Sequence, residues 1–340
     1  MKVAVGLSGG VDSSVAALLM QREGHEVLGI TMRITDAMPA ENSDAQKVAE
    51  HLKIPFKLID LRKEYENTIL RYIRDDYAAG RTPNPCVRCN REVKFGLFWR
   101  RAVEMGFGFD AFATGHYALV DQDPATRRWG LRKGLHGDKD QAYFLSLLTQ
   151  EQLGRIRFPL GRMDKPQVRA LAEEAGLFTH KSRESQDLCL GEYRRFLIPG
   201  RGPGDFVDPS GKVLGCHKGI EHYTIGQRRG LGIGGGDPLY VLEIREEDNT
   251  VVVGPDEALL APGLILGEVN WGVVEEPPLP CRGTVKIRYR DEGTPATVTE
   301  ALPGGRYKIV FDTPRRAVTP GQLAVFYQGP YVALAGFIVE

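Results

Sequence analysis

The chain is 340 residues long, 42% hydrophobic and 26% charged, the composition of an ordinary globular protein of two or three domains. Its formal charge of zero means that any nucleic-acid binding rests on local patches and not on the chain as a whole. No apolar run is long enough for a membrane span and no basic segment leads into an apolar one at the start, so a cytoplasmic protein without membrane contact is expected.

Strands and helices alternate in the first half. Val3 to Leu7 reads as a buried strand, and Val11 to Arg22 as a helix that turns Val11, Ala16, Leu18 and Leu19 inward. His25 to Met32 is the next strand. In SDAQKVAEHLKI, the residues Ala45, Val48, Ala49 and Leu52 fall at i, i+3, i+4 and i+7 behind Ser43, a natural N-cap. PFKLIDL (55–61) is a third strand, and Tyr65, Ile69, Tyr72 and Ile73 mark a helix ending near Gly80. A further helix around Val93 to Met105 leads to the strand AFATGHY (111–117). This βαβα order predicts an α/β fold, a doubly wound parallel sheet with helices on both faces.

KPQVRALAEEAGL (165–177) is one more amphipathic helix, carrying Val168, Leu171, Ala172 and Ala175. Beyond about residue 200 the helical periodicity gives way to short runs such as LYVLEI, TVVVG, TVKIRYR, RYKIVF and LAVFYQ between Gly/Pro turns. These predict small β-barrels or sandwiches. The expected division is a catalytic domain over 1–200 with a helical extension from about 145, a central β domain over 201–270 and a C-terminal β-barrel over 271–340.

GLSGGVDSS (6–14) joins the first strand to the first helix. Such a turn offers backbone N–H groups and a helix N-terminus to an anion, and Ser8, Ser13 and Ser14 add hydroxyls. It lacks the lysine of a P-loop, and Gly6, Gly9 and Gly10 have the wrong spacing for a dinucleotide fingerprint. S-G-G-x-D-S resembles the pyrophosphate loop of ATP pyrophosphatases, which release pyrophosphate while transferring AMP. That resemblance implies Ser8, Gly9, Gly10, Ser13 and Ser14 around the phosphates, with Asp12 orienting Mg²⁺ or pyrophosphate.

The five cysteines stand at 86, 89, 189, 216 and 281, an odd number in a chain expected to be kept reduced. Catalytic or metal-binding thiols fit better than a disulfide scaffold. Cys86 and Cys89 form a C-x-x-C on a Pro/Asn turn leading into a helix, and Gly80 to Arg101 carries six basic residues against the single acid Glu92. A helix N-terminus and neighbouring Arg81, Arg88, Arg91 and Lys94 lower a thiol pKa. A structural zinc site would need two further ligands in a second such pair, which the sequence lacks. Cys189, in KSRESQDLCLGEYRRFL (181–197), sits among polar residues, whereas Cys216 and Cys281 read as packing residues in β segments.

The glycine loop is followed in order by TPNPCVRCNREVKF, ATGHYA, KDQAYFLSLL, ESQDLCL, YTIGQRRGLGI, VKIRYR and RAVTPGQ. In this set and order the chain resembles the MnmA-type tRNA-specific 2-thiouridylases nearly end to end. The resemblance implies ATP-dependent adenylation of the 2-oxygen of a wobble uridine, in tRNAs of the Glu, Gln and Lys type, and its replacement by sulfur. It implies that Gly6, Leu7, Ser8, Gly9, Gly10, Val11, Asp12 and Ser13 bind ATP phosphates with Mg²⁺, while Met32 and Gly115 border the adenosine. Cys89 matches the nucleophile and Cys189 the persulfide carrier; Asn84, Pro85 and Cys86 face the base. His116, Lys139, Asp140, Gln141, Arg288, Tyr289 and Gln322 match tRNA-contacting positions.

Two sulfur chemistries stay open on the sequence. Cys89 and Cys189 act as a nucleophile and persulfide pair fed by a cysteine desulfurase or a relay protein, or Cys86, Cys89 and Cys189 hold a 4Fe–4S cluster with one iron open to bind sulfide. RITDAMPAENS, between Met32 and Ser43, is shorter than in many members of that family. Competing readings are an amidating enzyme with the same loop, which needs no trio of thiols, and a pure RNA-binding module, which needs no such loop.

Overall fold

The protein is described here as a computed structural model over residues 1–39, 41, 43–124, 126–182, 202–234 and 236–340. Strands β1 (Lys2–Gly6), β2 (Glu26–Arg33), β3 (Phe56–Asp60) and β4 (Ala111–Ala113) come first, with helix α1 (Val11–Arg22) between β1 and β2 and helix α2 (Asp44–Leu52) between β2 and β3. A hairpin of β5 (Ala118–Gln122) and β6 (Trp129–Lys133) precedes β7 (Ile156–Arg157). The first sheet has the order β3-β2-β1-β4-β7 and every pairing in it is parallel, the doubly wound arrangement expected.

Local chemistry sets the helix limits. Ser43 accepts from Gln46 N at 3.2 Å and caps α2, as its position in the sequence predicts. Val48, Ala49 and Leu52 of α2 pack with Val15, Ala16 and Leu18 of α1 and with Val168 and Ala172 of the helix Lys165–Glu174 on one face of the sheet. The other face meets Ile69, Ile73, Val93 and Phe98. The predicted 111–117 strand stops at Ala113, and the hairpin β5–β6 was not foreseen.

A second sheet is ordered β10-β11-β8-β9, from β8 (Gly204–Val207), β9 (Val213–His217), β10 (Tyr240–Arg245) and β11 (Thr250–Gly254). The last six strands are β12 (Leu260–Trp271), β13 (Cys281–Lys286), β14 (Thr294–Leu302), β15 (Arg306–Arg316), β16 (Leu323–Gln328) and β17 (Tyr331–Ile338). They run in the order β12-β15-β14-β13-β16-β17, and β17 pairs back to β12, closing an antiparallel barrel. Tyr307, Ile309 and Phe311 alternate inward along β15, as a half-exposed strand requires.

Strands β16 and β17 are covered on both sides. Ala324, Phe326, Ala333 and Leu334 belong to the barrel interior. Leu323, Val325, Tyr327, Val332, Ala335 and Phe337 belong to the same core as Ile69, Val93 and Phe112 of the first unit. The hairpin β5–β6 also joins the barrel sheet, through Tyr331 opposite Arg132. Among the described residues no helix is long and apolar enough to cross a membrane.

Candidate active site

In a parallel sheet of this order a crevice opens beyond the carboxyl ends of β1 and β4, where the connections diverge. Gly6 ends β1 opposite Ile30, and buried Leu7 donates its N–H to Ile30 O at 2.8 Å. The chain then enters α1 with Gly10 as N-cap and no side-chain capping bond. A helix leaves its first N–H groups without intrahelical acceptors, so this end of α1, at Val11, Asp12 and Ser13, favours an anion.

The serine hydroxyls hold the turn from inside. Ser13 Oγ donates to Gly10 O at 3.1 Å and accepts from Ser8 N at 3.1 Å; the Ser8 and Ser13 hydroxyls are 3.0 Å apart. Ser14 Oγ donates to Gly10 O at 2.8 Å. Gly9 backs onto α2, where a Cβ would lie 2.8 Å from Asp44 Cβ.

Asp12 accepts from Lys165 Nζ at 2.8 Å on each carboxylate oxygen and from Tyr117 OH at 2.7 Å. Sequence reasoning missed Lys165. A signal existed: Lys165 is the first residue of a helix whose N-cap Asp164 forms a capping box with Gln167. A cation at a helix N-terminus is disfavoured by about 0.3–1 kcal/mol, and here the Asp12 carboxylate offsets that cost. Gly115 explains how the second wall comes so close. A Cβ on it would stand 2.6 Å from the Asp12 carbonyl carbon and 2.8 Å from Ser13 N.

Ser8, Gly10, Val11 and Asp12 form one wall of a cleft of about 760 Å³. Lys139, Asp140, Gln141, Phe144 and Lys165 line it from the first unit, and Lys286, Tyr289 and Arg290 line it from the barrel. Several predicted RNA-contacting residues therefore share a cavity with the glycine loop. Asp140 accepts from Gly134 N at 3.0 Å and Ala142 N at 3.1 Å, and burial holds its carboxyl above the ordinary range. Gln141 is fixed by Tyr117, whose N–H donates to Gln141 Oε1 at 3.0 Å. Tyr289 packs against Phe144 with ring centroids 4.4 Å apart and the ring planes tilted by 38°. Burial, with Lys133 nearby, lowers the pKa of Lys286.

The C-x-x-C is helical, which differs from the turn expected. Helix Pro85–Arg88 runs directly into the wider turns Cys89–Leu97 and on to Glu104. Proline at the first helical position starts a helix readily, because its missing N–H would have had no acceptor there. Cys86 and Cys89, three apart, share a helix face; Cys89 is buried and Cys86 partly exposed. Asn84, Pro85, Cys86 and Gln322 line a second cavity of about 230 Å³. The next residue, Asn90, donates from Nδ2 to Phe144 O at 3.0 Å, tying the thiol helix to the cleft.

Arg88, between the two thiols, lies 4.3 Å from the Tyr72 ring centroid and pairs with Glu92 at 2.9 Å and Glu268 at 3.1 Å. Cys281 is buried, as expected of a packing residue, but Cys216 is exposed on β9 and does not pack. Cys189 lies outside the described residues.

His116 packs between Phe95 and Phe158, and its Nδ1 is 2.7 Å from Thr114 Oγ1. Burial, and after it the charge of Lys94, push its pKa well below the ordinary value, so it is a neutral imidazole near pH 7. Met32 is near the carboxyl end of β2 opposite Ile59. Arg288 donates to Ala317 O and lines a cavity of about 420 Å³ with Arg290, Arg315 and Arg316. Burial and Arg316 lower its pKa. Gln322 donates to Thr82 O at 3.2 Å and Pro83 O at 3.3 Å.

Residues 1–192 match the family model described as tRNA methyl transferase HUP domain, 195–255 the tRNA methyl transferase PRC-barrel domain and 262–338 the aminomethyltransferase beta-barrel domain. A tRNA-specific 2-thiouridylase MnmA from Geobacter metallireducens is 45% identical over 362 residues, covering 99% of this chain and 96% of its own. That of Nostoc punctiforme is 45% identical over 349 residues, covering 100% and 99%. Among solved structures, a 4-thiouridine synthetase–RNA complex with bound ATP covers 56% of this chain and 44% of its own, at 20% identity and a TM-score of 0.38.

Proposed function

The chain belongs to the tRNA-specific 2-thiouridylase family and is an ATP-using tRNA-uridine 2-sulfurtransferase, and from that premise we propose how its residues divide the work. The loop Gly6 to Ser13 takes the phosphates of ATP with Mg²⁺, backbone amides at the start of α1 meeting the pyrophosphate. Lys165, held by Asp12, supplies the cation that the loop itself lacks. Met32 and Gly115 border the adenosine.

The wobble uridine of tRNAs of the Glu, Gln and Lys type enters the shared cleft. Its 2-oxygen attacks the α-phosphorus and pyrophosphate departs, leaving the oxygen as part of an AMP leaving group. The outer sulfur of a persulfide on Cys189 then adds to carbon 2 and AMP leaves. The Cys89 thiolate attacks the inner sulfur, closing a Cys89–Cys189 disulfide and freeing the thiolated base; an external thiol resets the pair. The sulfur comes at the sulfane level from a donor protein, a cysteine desulfurase or relay; sulfide can serve only by opening the Cys89–Cys189 disulfide, which yields the Cys189 persulfide and the Cys89 thiol. Asn84, Pro85 and Cys86 border the base, and His116, Lys139 to Gln141, Arg288 and Tyr289 serve RNA binding, with phosphate contacts from arginines and a stacking aromatic.

The observation that carries this reading is the cleft that joins Ser8 to Asp12 with Lys139, Gln141 and Tyr289. One fact favours the second sulfur chemistry: Cys86 and Cys89 lie one turn apart on a common helix face, as two ligands of a 4Fe–4S cluster would. Among the described residues no group of three or more His, Cys, Asp or Glu is arranged to hold a metal.

One set of variants tests both. Cys89→Ser is expected to keep tRNA-dependent pyrophosphate release and to lose 2-thiouridine formation. Loss of both would contradict the separation of activation from sulfur transfer. Cys86→Ala, purified without air, keeps thiolation under the persulfide reading; a brown anaerobic wild type whose colour and thiolation are both lost in Cys86→Ala establishes the cluster instead.

A further inference from the structure

The barrel does more than border the site. Its 319–323 turn is seated on the backbone just ahead of Cys86. Thr82 N donates to Pro320 O at 2.9 Å, and Gln322 Nε2 reaches Thr82 O at 3.2 Å and Pro83 O at 3.3 Å. Gly321 adopts φ +86, and a Cβ there would lie 2.8 Å from Thr82 O and 3.0 Å from Thr82 N. The turn itself is anchored: Ile338 N donates to Gln322 O at 2.8 Å and Tyr143 OH to Leu323 O at 2.8 Å.

The intervening sequence is Thr-Pro-Asn-Pro-Cys, residues 82 to 86. Each proline fixes its own φ and restricts the residue before it, so this segment has few soft torsions with which to absorb a displacement by local bending. A shift imposed at Thr82 is passed on to Cys86. Gln322 and Cys86 also line the same 230 Å³ cavity.

We infer that Gln322 is a positioning residue: its side-chain amide, contributed by the C-terminal barrel, sets the Thr82–Pro83 backbone and through it the reactive placement of Cys86 and the following Cys89. Barrel and thiols are thereby coupled before any RNA is bound. The consequence for catalysis rests on the sulfur-transfer reading above, whereas the coupling itself does not.

The test uses the full chain with Gln322→Ala, and with Gly321→Ala, which leaves the amide in place but pushes on Thr82. Thermal melting checks that each variant is folded. The first readout is the rate at which iodoacetamide alkylates Cys86 in the RNA-free protein, followed by mass spectrometry. The second is kcat and KM for tRNA in thiolation. Loss of a hydrogen-bonded anchor is expected to change the alkylation rate severalfold in both variants and to lower kcat about tenfold with KM nearly unchanged. An unchanged alkylation rate overturns the inference, most plainly if KM for tRNA rises about tenfold instead, the signature of a direct RNA contact. A changed alkylation rate with a wild-type protein that thiolates no tRNA would sink the functional reading and leave the coupling standing.

Discussion

Asp12 and Lys165 are 153 positions apart, yet each oxygen of the carboxylate lies 2.8 Å from the lysine ammonium. Lys165 is 13% exposed at that contact, so its charge is weakly screened and bears on the cleft beside it. Removing a charge-stabilising donor from such a site costs about 10²-fold in kcat. Lys165→Met is therefore expected to slow tRNA-dependent pyrophosphate release by that order in single-turnover assays, with Lys165→Arg recovering part of the rate. A rate unchanged in Lys165→Met would remove the residue from the reaction. The aspartate was legible in SGGVDSS; its partner was not, because a lysine inside a well-formed amphipathic helix looks like solvated surface until its position at the helix start is weighed.

Elements were legible where one period dominated. Helix α2 and its Ser43 cap follow from four apolar residues on one face. The helix through the thiols was harder, since Pro85 and Asn84 read equally as a turn or as a helix start, and only packing of Val87, Val93 and Phe98 into the core decides. Close approach between elements leaves almost no trace in a single sequence. Gly115 sits where the connection after β4 crosses the first turn of α1, and its functional assignment came from its surroundings in ATGHYA, not from any sign of that contact. Gly115→Ala is expected to lower stability by about 1–3 kcal/mol, through forced backbone displacement, and to raise KM for ATP while leaving KM for tRNA nearly unchanged. Denaturant unfolding and initial-rate kinetics check the two parts. A variant as stable as the wild type, with the same KM for ATP, would mean the loop and the connection are not in contact as described.

At the scale of the whole molecule, the composite site exists because the last strands finish the core begun by the first. LAVFYQ reads as a strand from its β-rich composition, but a continuous apolar run does not say what lies on its two sides. Here one side fills the barrel and the other packs against the first unit, so the Lys286–Arg290 stretch faces the glycine loop across a cavity. The chain thereby brings the glycine turn at the start of α1 and a barrel edge carrying Lys286, Tyr289, Arg290, Asp291 and Glu292 to one cleft, with the thiol helix tied to it through Asn90 and Phe144. Activation of the base by adenylation has one direct chemical consequence: the oxygen lost from the base must leave on the nucleotide. A single-turnover reaction with tRNA carrying isotopically heavy oxygen at carbon 2 of the wobble uridine, followed by mass spectrometry of the AMP, reads it out. The account predicts heavy oxygen in the AMP phosphoryl group, in step with 2-thiouridine; heavy oxygen released to water, with unlabelled AMP, would contradict it.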